Sequence, residues 1–395
     1  MAKQGKNNFF TQKKDWSKLK DTILNNYLKP YITKISKTNK PLTIIDCFAG
    51  KGKFDDGYDG SPIIIMEQIK NFKITNAFSQ INAIFIENKY HEELNNNLRD
   101  YNDLEIYKGT FEENINNLLK LNQSHNLFIY IDPYGIKSLD FSYFSKLVNR
   151  NFNSLEMLLN FNSIGFLREA CRVQHYYNLI QLEDSEEDYE IDDFLDINKI
   201  NSIANGNYWI KIVNDFKKRL INFHEAEEEL IENYTVKLKS LFKYLIKIPI
   251  KTKVKNIPKY RIIFATNHPD GLLLMSDNMN KIWKNIVEGE RMGQEALFDE
   301  YELYYNGLEN IEEKIKSILN NNNFKIELKA LYLELITNYG FQFSIKEYKE
   351  KIEELENKGL IGIKRNPKYT KTGKISKSFD YSQNEINIIL KNNNE

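Results

Sequence analysis

Two cysteines in 395 residues, Cys47 and Cys171, are too few for a disulfide framework or a cysteine-held metal cluster. A reducing cytoplasm is therefore the expected setting. Long apolar runs are missing too: none approaches the roughly 20 residues a membrane-spanning helix needs, and no membrane association is expected. The first stretch, "MAKQGKNNFFTQKKDW", is charged and has no apolar segment of the kind a secretory signal carries. No His-x-Glu and no paired histidine spacing occurs, so no metal site is expected. Net charge is also absent, since 55 basic residues balance 55 acidic ones, which argues against a uniformly basic nucleic-acid binder. What the chain does have is apolar and aromatic side chain, 41% and 13% of residues. That is enough for the cores of two or three domains, and it argues against wholesale disorder.

The balanced charge is segregated. Lys3, Lys6, Lys13, Lys14, Lys18 and Lys20 are set against only Asp15 in the first twenty residues. The segment "IKRNPKYTKTGKISK" (363–377) is wholly basic in its ionisable groups, and "EDSEEDYEIDDFLD" (183–196) is almost purely acidic. Each segment has two readings: a solvated face, or a basic surface directed at phosphate with an acidic insertion that repels it elsewhere.

Residues 10–36 have apolar positions at helical spacing, among them Trp16, Leu19, Ile23, Tyr27 and Leu28, and Pro30 is expected to kink or end this helix. Strands and helices then alternate. "LTIIDC", "AIFIE", "LEIYKG", "LFIYID" and "LEMLLNF" read as five strands, nearly continuously apolar, as expected where helices cover both faces. Ser61 and Pro62 are expected to cap the helix after the first strand. The alternation predicts a doubly wound parallel sheet. Residues 163–240 read as a helical insertion. "LFKYLIKIPI" and "YRIIFATN" read as two last strands forming an antiparallel pair. After about residue 310, two helices and a basic hairpin outline a winged helix, a unit that reads DNA or RNA or binds protein. The basic hairpin favours nucleic acid there. The acidic "KEKIEELENK" helix opposes it, because its carboxylates would face phosphates.

Four constellations carry chemistry. In "DCFAGKG", Asp46 ends the first strand, and Gly50 and Gly52 have no side chain to block a nucleotide-like ligand at the carboxyl end of the sheet. Asp55 stands where a dinucleotide fingerprint has its third glycine, and no Lys-Ser/Thr pair follows, so nucleotide hydrolysis has little support. The acidic residue before the glycines suits a cationic amine or sulfonium. Glu87, closing the second strand, is placed to accept both ribose hydroxyls of an adenosine. Asp132, Pro133 and Tyr134 end the fourth strand; an acceptor oxygen beside a flat ring suits methyl transfer to a flipped-out base. Asn267 and His268 follow a strongly apolar strand and are expected at the same sheet edge, with His268 as base or acceptor-positioning group. Asn160 and Asn162, ending the fifth strand, are expected to face the same pocket. Each of these also reads as an ordinary turn or strand end.

Together "DCFAGKG", "GSP" at 60–62, "FIEN", "YIDPYG", "ATNHPDG" at 265–271 and the early "FFTQKKDWSKLKDTILNNYLKPYI" resemble the three-Cys-motif partner (TcmP) family, over roughly residues 9–300. That family looks like class I S-adenosylmethionine methyltransferases and is named for a radical-SAM-like neighbour with a three-cysteine motif. The resemblance implies an α/β fold: a Rossmann-like, doubly wound, seven-stranded methyltransferase sheet with a helical insertion and a C-terminal winged helix. The implied domains are 1–40 (helical segment), 41–162 with 241–300 (methyltransferase), 163–240 (acidic insertion) and 310–395 (winged helix). It implies S-adenosylmethionine as cofactor. Asp46, Phe48, Ala49, Gly50 and Gly52 would line its methionine end, Glu87 its ribose, and Gly109 and Thr110 its adenine. Asp132, Pro133 and Tyr134 would face the acceptor. The chain has Asp-Pro-Tyr-Gly where amino-methyltransferases of DNA carry Asp/Asn-Pro-Pro-aromatic, which weakens an exocyclic adenine amine as the acceptor. The expected partners are nucleic acid and the three-cysteine protein. Two alternatives stand beside this: an inactive methyltransferase-fold scaffold, and a metal-dependent nuclease of a defence system.

Overall fold

The structure, a computed structural model, describes residues 10–75, 80–176, 195–250, 258, 260–293, 310–382 and 384–391, with 286–293 by backbone alone. The acidic tract lies outside them save Leu195 and Asp196. Two compact units make up the chain, Met1–His268 and Pro269–Glu395, so the helix Pro269–Gly293 groups with the C-terminal unit.

In the first unit, helix α1 (Asp15–Ile35) precedes strand β1 (Leu42–Asp46). Then come α2 (Ser61–Thr75), β2 (Ile81–Glu87), α3 (His91–Leu98), β3 (Leu104–Lys108), α4 (Phe111–Leu118), β4 (Asn126–Ile131), α5 (Phe141–Val148) and β5 (Ser154–Phe161). The described part of the insertion is helical: α6 (Ser163–Val173), α7 (Ile197–Ala204), α8 (Tyr208–Lys217) and α9 (Phe223–Lys239). Strands β6 (Tyr244–Ile250) and β7 (Tyr260–Thr266) close the unit.

The seven strands form one sheet in the order β3-β2-β1-β4-β5-β7-β6. Strands β1 to β5 pair in parallel, and β7 runs antiparallel to both β5 and β6. This is the expected doubly wound methyltransferase sheet. Its central strands β1 and β4 are buried at every residue, which is why they read as unbroken apolar runs. On one face, Ile45, Ile84, Leu127, Ile129 and Leu159 share a core with residues of α4 to α9. On the other face Tyr27 of α1 stacks on Phe128, with Phe264 5.1 Å away.

Two local expectations are corrected. Pro30 does not end α1, which runs on to Ile35; Tyr27 and Tyr31, buried on either side of it, pack on Phe128 of the sheet. Ser61 does not cap α2. Its hydroxyl is donated to Asp46, while Gly60 supplies the carbonyl for the first helical bond, from Ile64 N.

The second unit runs α10 (Pro269–Gly293), α11 (Ile311–Asn321), β8 (Lys325–Glu327), α12 (Leu328–Tyr339), α13 (Ile345–Asn357), β9 (Ile361–Asn366) and β10 (Glu385–Leu390). Strands β8, β10 and β9, in that order, make an antiparallel sheet. Ser344 and Glu347 form a capping box at the start of α13.

Candidate functional site

The carboxyl ends of the parallel strands bring Asp46, Glu87, Gly109, Asp132 and Asn162 to one edge of the sheet. In doubly wound sheets the crevice at this edge, where the strand order reverses, takes the ligand. Here the reversal lies between β1 and β4.

The glycine loop is shaped by two carboxylates. Asp46 is fully buried; one oxygen accepts from Phe48 N at 3.1 Å and the other from the Ser61 hydroxyl at 2.6 Å. Burial pushes its pKa up to about 7 against these two hydrogen bonds, and the nearby Asp132 and Asp21 push the same way. Glu87 Oε2 accepts from Gly50 N at 2.7 Å, and its Oε1 accepts from Lys89 N and Tyr90 N at 2.8 and 2.9 Å. A carboxylate offers about four acceptor positions, so one remains, on Oε2. Glu87 therefore has room for a single ribose hydroxyl, where the sequence reading had it take both. Gly50 (φ +62°) and Gly52 (φ +79°) both need the left-handed region. Ala49 N joins the loop to β2 by a bond to Ile86 O, and the Phe48 ring packs near Phe111.

A side chain to which the sequence reading gave no role sits on this loop. A Cβ on Gly50 would lie 2.8 Å from Phe10 Cζ and 3.6 Å from the Tyr134 hydroxyl. Phe10 is buried among Phe54, Tyr90 and Tyr134, at centroid distances of 5.3, 4.9 and 6.3 Å. Its carbonyl accepts from Asp55 N at 2.8 Å.

Asp132 is held just as firmly. Lys20 Nζ donates to both its oxygens, at 2.9 and 2.8 Å; Asn160 Nδ2 donates to Oδ1 at 2.5 Å and the Tyr130 hydroxyl to Oδ2 at 3.1 Å. All four acceptor positions are thus in use. Asp132 receives a substrate N–H only by releasing a partner, which corrects its expected role as a free acceptor. Lys20 is buried and also lies 4.8 Å from the Tyr260 ring centroid. Lys13, buried too, pairs with Asp21 and donates to Asp59 O at 2.5 Å. Burial pushes Asp21 up to about 6, with Lys13 opposing. So Lys13 and Lys20 are not part of a phosphate-facing surface. Asn160 Oδ1 is buried without a hydrogen-bond partner. Asn162 caps α6 by accepting from Gly165 N. Pro133 is buried, and Tyr134 is 52% exposed.

Gly109 (φ +114°) and Thr110 follow β3, as expected, and start α4: Thr110 Oγ1 accepts from Glu113 N and Thr110 N donates to the Glu113 carboxylate. His268 is a correction. Strand β7 is antiparallel, with Thr266 opposite Glu156 near the start of β5. Asn267 and His268 therefore leave the sheet at its amino edge, away from Asp132. His268 N donates to Thr266 Oγ1, whose hydroxyl donates to the buried Glu156. Among the described residues, no group of three or more His, Cys, Asp or Glu could hold a metal. Cys47 and Cys171 are free and buried, and no described helix is long and apolar enough to cross a membrane.

No family description and no curated protein matches the chain. Among solved structures it is similar to a spermidine synthase in complex with the transition-state analogue AdoDATO (9% identity, 72% of this chain and 67% of that one, TM-score 0.33). It is also similar to the O-methyltransferase TomG from Streptomyces achromogenes in complex with SAM (8%, 65% and 92%, 0.32). A third is the plantazolicin methyltransferase BamL in complex with a triazolic desmethylPZN analog and SAH (11%, 64% and 87%, 0.32). At these values the likenesses carry no argument; the strand order and the directions of its strands do the assigning. Those define a chain with a class I methyltransferase-like sheet.

Proposed function

We propose that this chain binds S-adenosylmethionine at the carboxyl edge of its sheet and methylates nucleic acid. The observation that carries the reading is the coincidence of strand order and site. At the point where the order reverses, β1 ends in a buried Asp46 and a left-handed glycine loop, beside Glu87 and the Asp132–Tyr134 turn. The donor set suits the cofactor. Among the described residues, three carboxylates, Asp21, Asp46 and Asp132, meet two ammonium groups, Lys13 and Lys20. The unpaired one is Asp46, and the cofactor's amine and sulfonium would supply the missing positive charge. Gly50 and Gly52 would let the cofactor approach the backbone, and Glu87 Oε2 would take one ribose hydroxyl. When bound, the cofactor supplies an electrophilic methyl; the protein's part is to orient it and the acceptor. Tyr134 offers an exposed ring at the acceptor side.

The C-terminal order helix–strand–helix–helix–strand–strand supports a winged helix, and its basic hairpin supports nucleic acid as the acceptor. The three-cysteine neighbour stays part of the proposal on the motif resemblance alone. A second reading, a non-catalytic scaffold, is favoured by two features: the saturated Asp132 and the Phe10 ring on Gly50. The nuclease reading has no described ligand cluster to stand on.

Titration calorimetry of the purified protein with S-adenosylmethionine tests the binding, and tritiated methyl transfer to DNA, tRNA, rRNA and protein tests the acceptor. Binding with label on nucleic acid is expected. No heat at any pH between 6 and 8 (bracketing the roughly neutral pKa of Asp46) would defeat the cofactor reading, and label on protein alone would defeat the nucleic-acid one. Binding without transfer to any of these acceptors would select the scaffold.

A further inference from the structure

In the C-terminal unit, positive charge is treated in two ways. On α13 and at its end every lysine is paired: Lys346 with Glu350, Lys349 with Glu353, and Lys351 and Lys358 with Glu354. This helix presents a self-neutralised face that offers a phosphate no unpaired lysine. The hairpin between β9 and β10 is different. Tyr369 and Ile375 pair across it, Ser376 N donates to Lys368 O, Thr370 N to Lys374 O, and Gly373 (φ +77°) closes the turn by donating to Thr370 O. The hairpin is therefore a defined projection. Lys368, Lys371, Lys374 and Lys377 are all exposed on it, and among the described residues none is ion-paired to a carboxylate. Tyr369 is 53% exposed, and the Lys368 ammonium lies 5.5 Å from its ring centroid.

We propose that this hairpin is the nucleic-acid contact of the chain and that it takes a strand with unpaired bases. The Tyr369 ring stacks on a base, and the four lysines neutralise phosphates around it. One exposed ring set among four lysines suits a single strand, because every base has a face to stack and every linkage a charge. An acidic protein would use the lysines but has no need of the ring, and an anionic membrane is set against the oligonucleotide in the test below. The proposal rests on the reading that the partner is nucleic acid and is independent of methyl transfer.

The experiment is fluorescence anisotropy of the full-length protein with a labelled oligouridylate of about 20 nucleotides, longer than the sites of such modules, and with a duplex of equal length, across a salt series. The wild type is expected to prefer the single strand. Removing the lysines together (K368A/K371A/K374A/K377A) is expected to flatten the slope of log affinity against log salt by about 3, at about 0.7 per phosphate contact on a single strand. Tyr369→Ala is expected to weaken the single strand at least about 5-fold, the low end of one stacking contact, with the slope and the duplex affinity unchanged. K346A/K349A on α13 is expected to change neither. An unchanged slope in the four-lysine variant overturns the proposal. So does a wild type that binds phosphatidylserine vesicles and not the oligonucleotide. Circular dichroism verifies that each variant is folded, and Tyr369→Ala keeps the test open should the multiple variant not fold. Cofactor calorimetry on the same samples separates the two readings. Oligonucleotide binding without cofactor binding sinks methyl transfer and leaves the hairpin standing; the reverse sinks the hairpin alone.

Discussion

Lys20 reaches Asp132 across 112 positions of sequence, and the pair is screened from water on most sides. Removing one partner of such a pair leaves the other's charge poorly solvated. Lys20→Met is expected to lower stability by about 2–3 kcal/mol, below the range for a fully buried pair because Asp132 keeps some exposure. Adding Asp132→Asn is expected to recover part of that loss, and urea unfolding of the two variants measures the coupling. Asp46 gives a pH signature. Its folded pKa is raised to about 7, so between about pH 4 and 7 the folded state holds a proton that the unfolded state has lost. The contribution therefore favours folding at the acid end and is lost as pH rises through that window. Measured as the unfolding midpoint of the wild type relative to Asp46→Asn, stability is expected to fall from pH 4.5 to 7.5; a flat difference would remove the buried proton from the account. Cofactor binding has the opposite slope. A cationic ligand favours the carboxylate, so affinity is expected to rise with pH through about 7. Lys20 was legible in principle, since it shares a helical face with Ser17, Leu24, Tyr27 and Tyr31, all buried, yet a lysine among lysines reads as surface. Phe10 gave no signal, because its contact is with Gly50, forty positions on and outside any periodic element.

Among the elements, β7 shows where sequence stops. Its residues are apolar throughout, so its existence was plain. Its direction is not written in them, because strand polarity follows from how the chain returns through α6 to α9. A reversed β7 sends His268 to the far edge. His268→Ala is accordingly expected to leave the dissociation constant for S-adenosylmethionine unchanged, while Glu87→Ala raises it at least about tenfold, the loss of one charge-assisted hydrogen bond and of the loop it pins. Calorimetry on the two variants checks both, and equal effects would contradict the edge assignment. The central strands β1 and β4 were legible for the opposite reason. Both are buried at every residue, so few polar positions blur them, and the acid at the end of each, Asp46 and Asp132, marks where the loop begins. Pro30 does not stop the helix because a helix boundary is only a local preference, and two tyrosines packed on Phe128, with Leu28 and Ile32 buried beside them, outweigh one missing hydrogen bond.

For the molecule as a whole, the equal count of basic and acidic groups removes long-range repulsion between copies near neutral pH. Solubility at low ionic strength is expected to be least there and to rise with added salt, as light scattering across a pH series would show. The same balance means that any pull on a polyanion is local, and a molecule without net charge is expected to meet one through its unpaired hairpin. The Phe10 ring has a last consequence, in time rather than in energy. If the cofactor rests against Gly50, the ring must leave first, and entry waits for that departure. In stopped-flow mixing the observed rate would then level off as cofactor concentration rises, at the rate of the ring's own release, and Phe10→Ala would restore a rate that climbs in proportion.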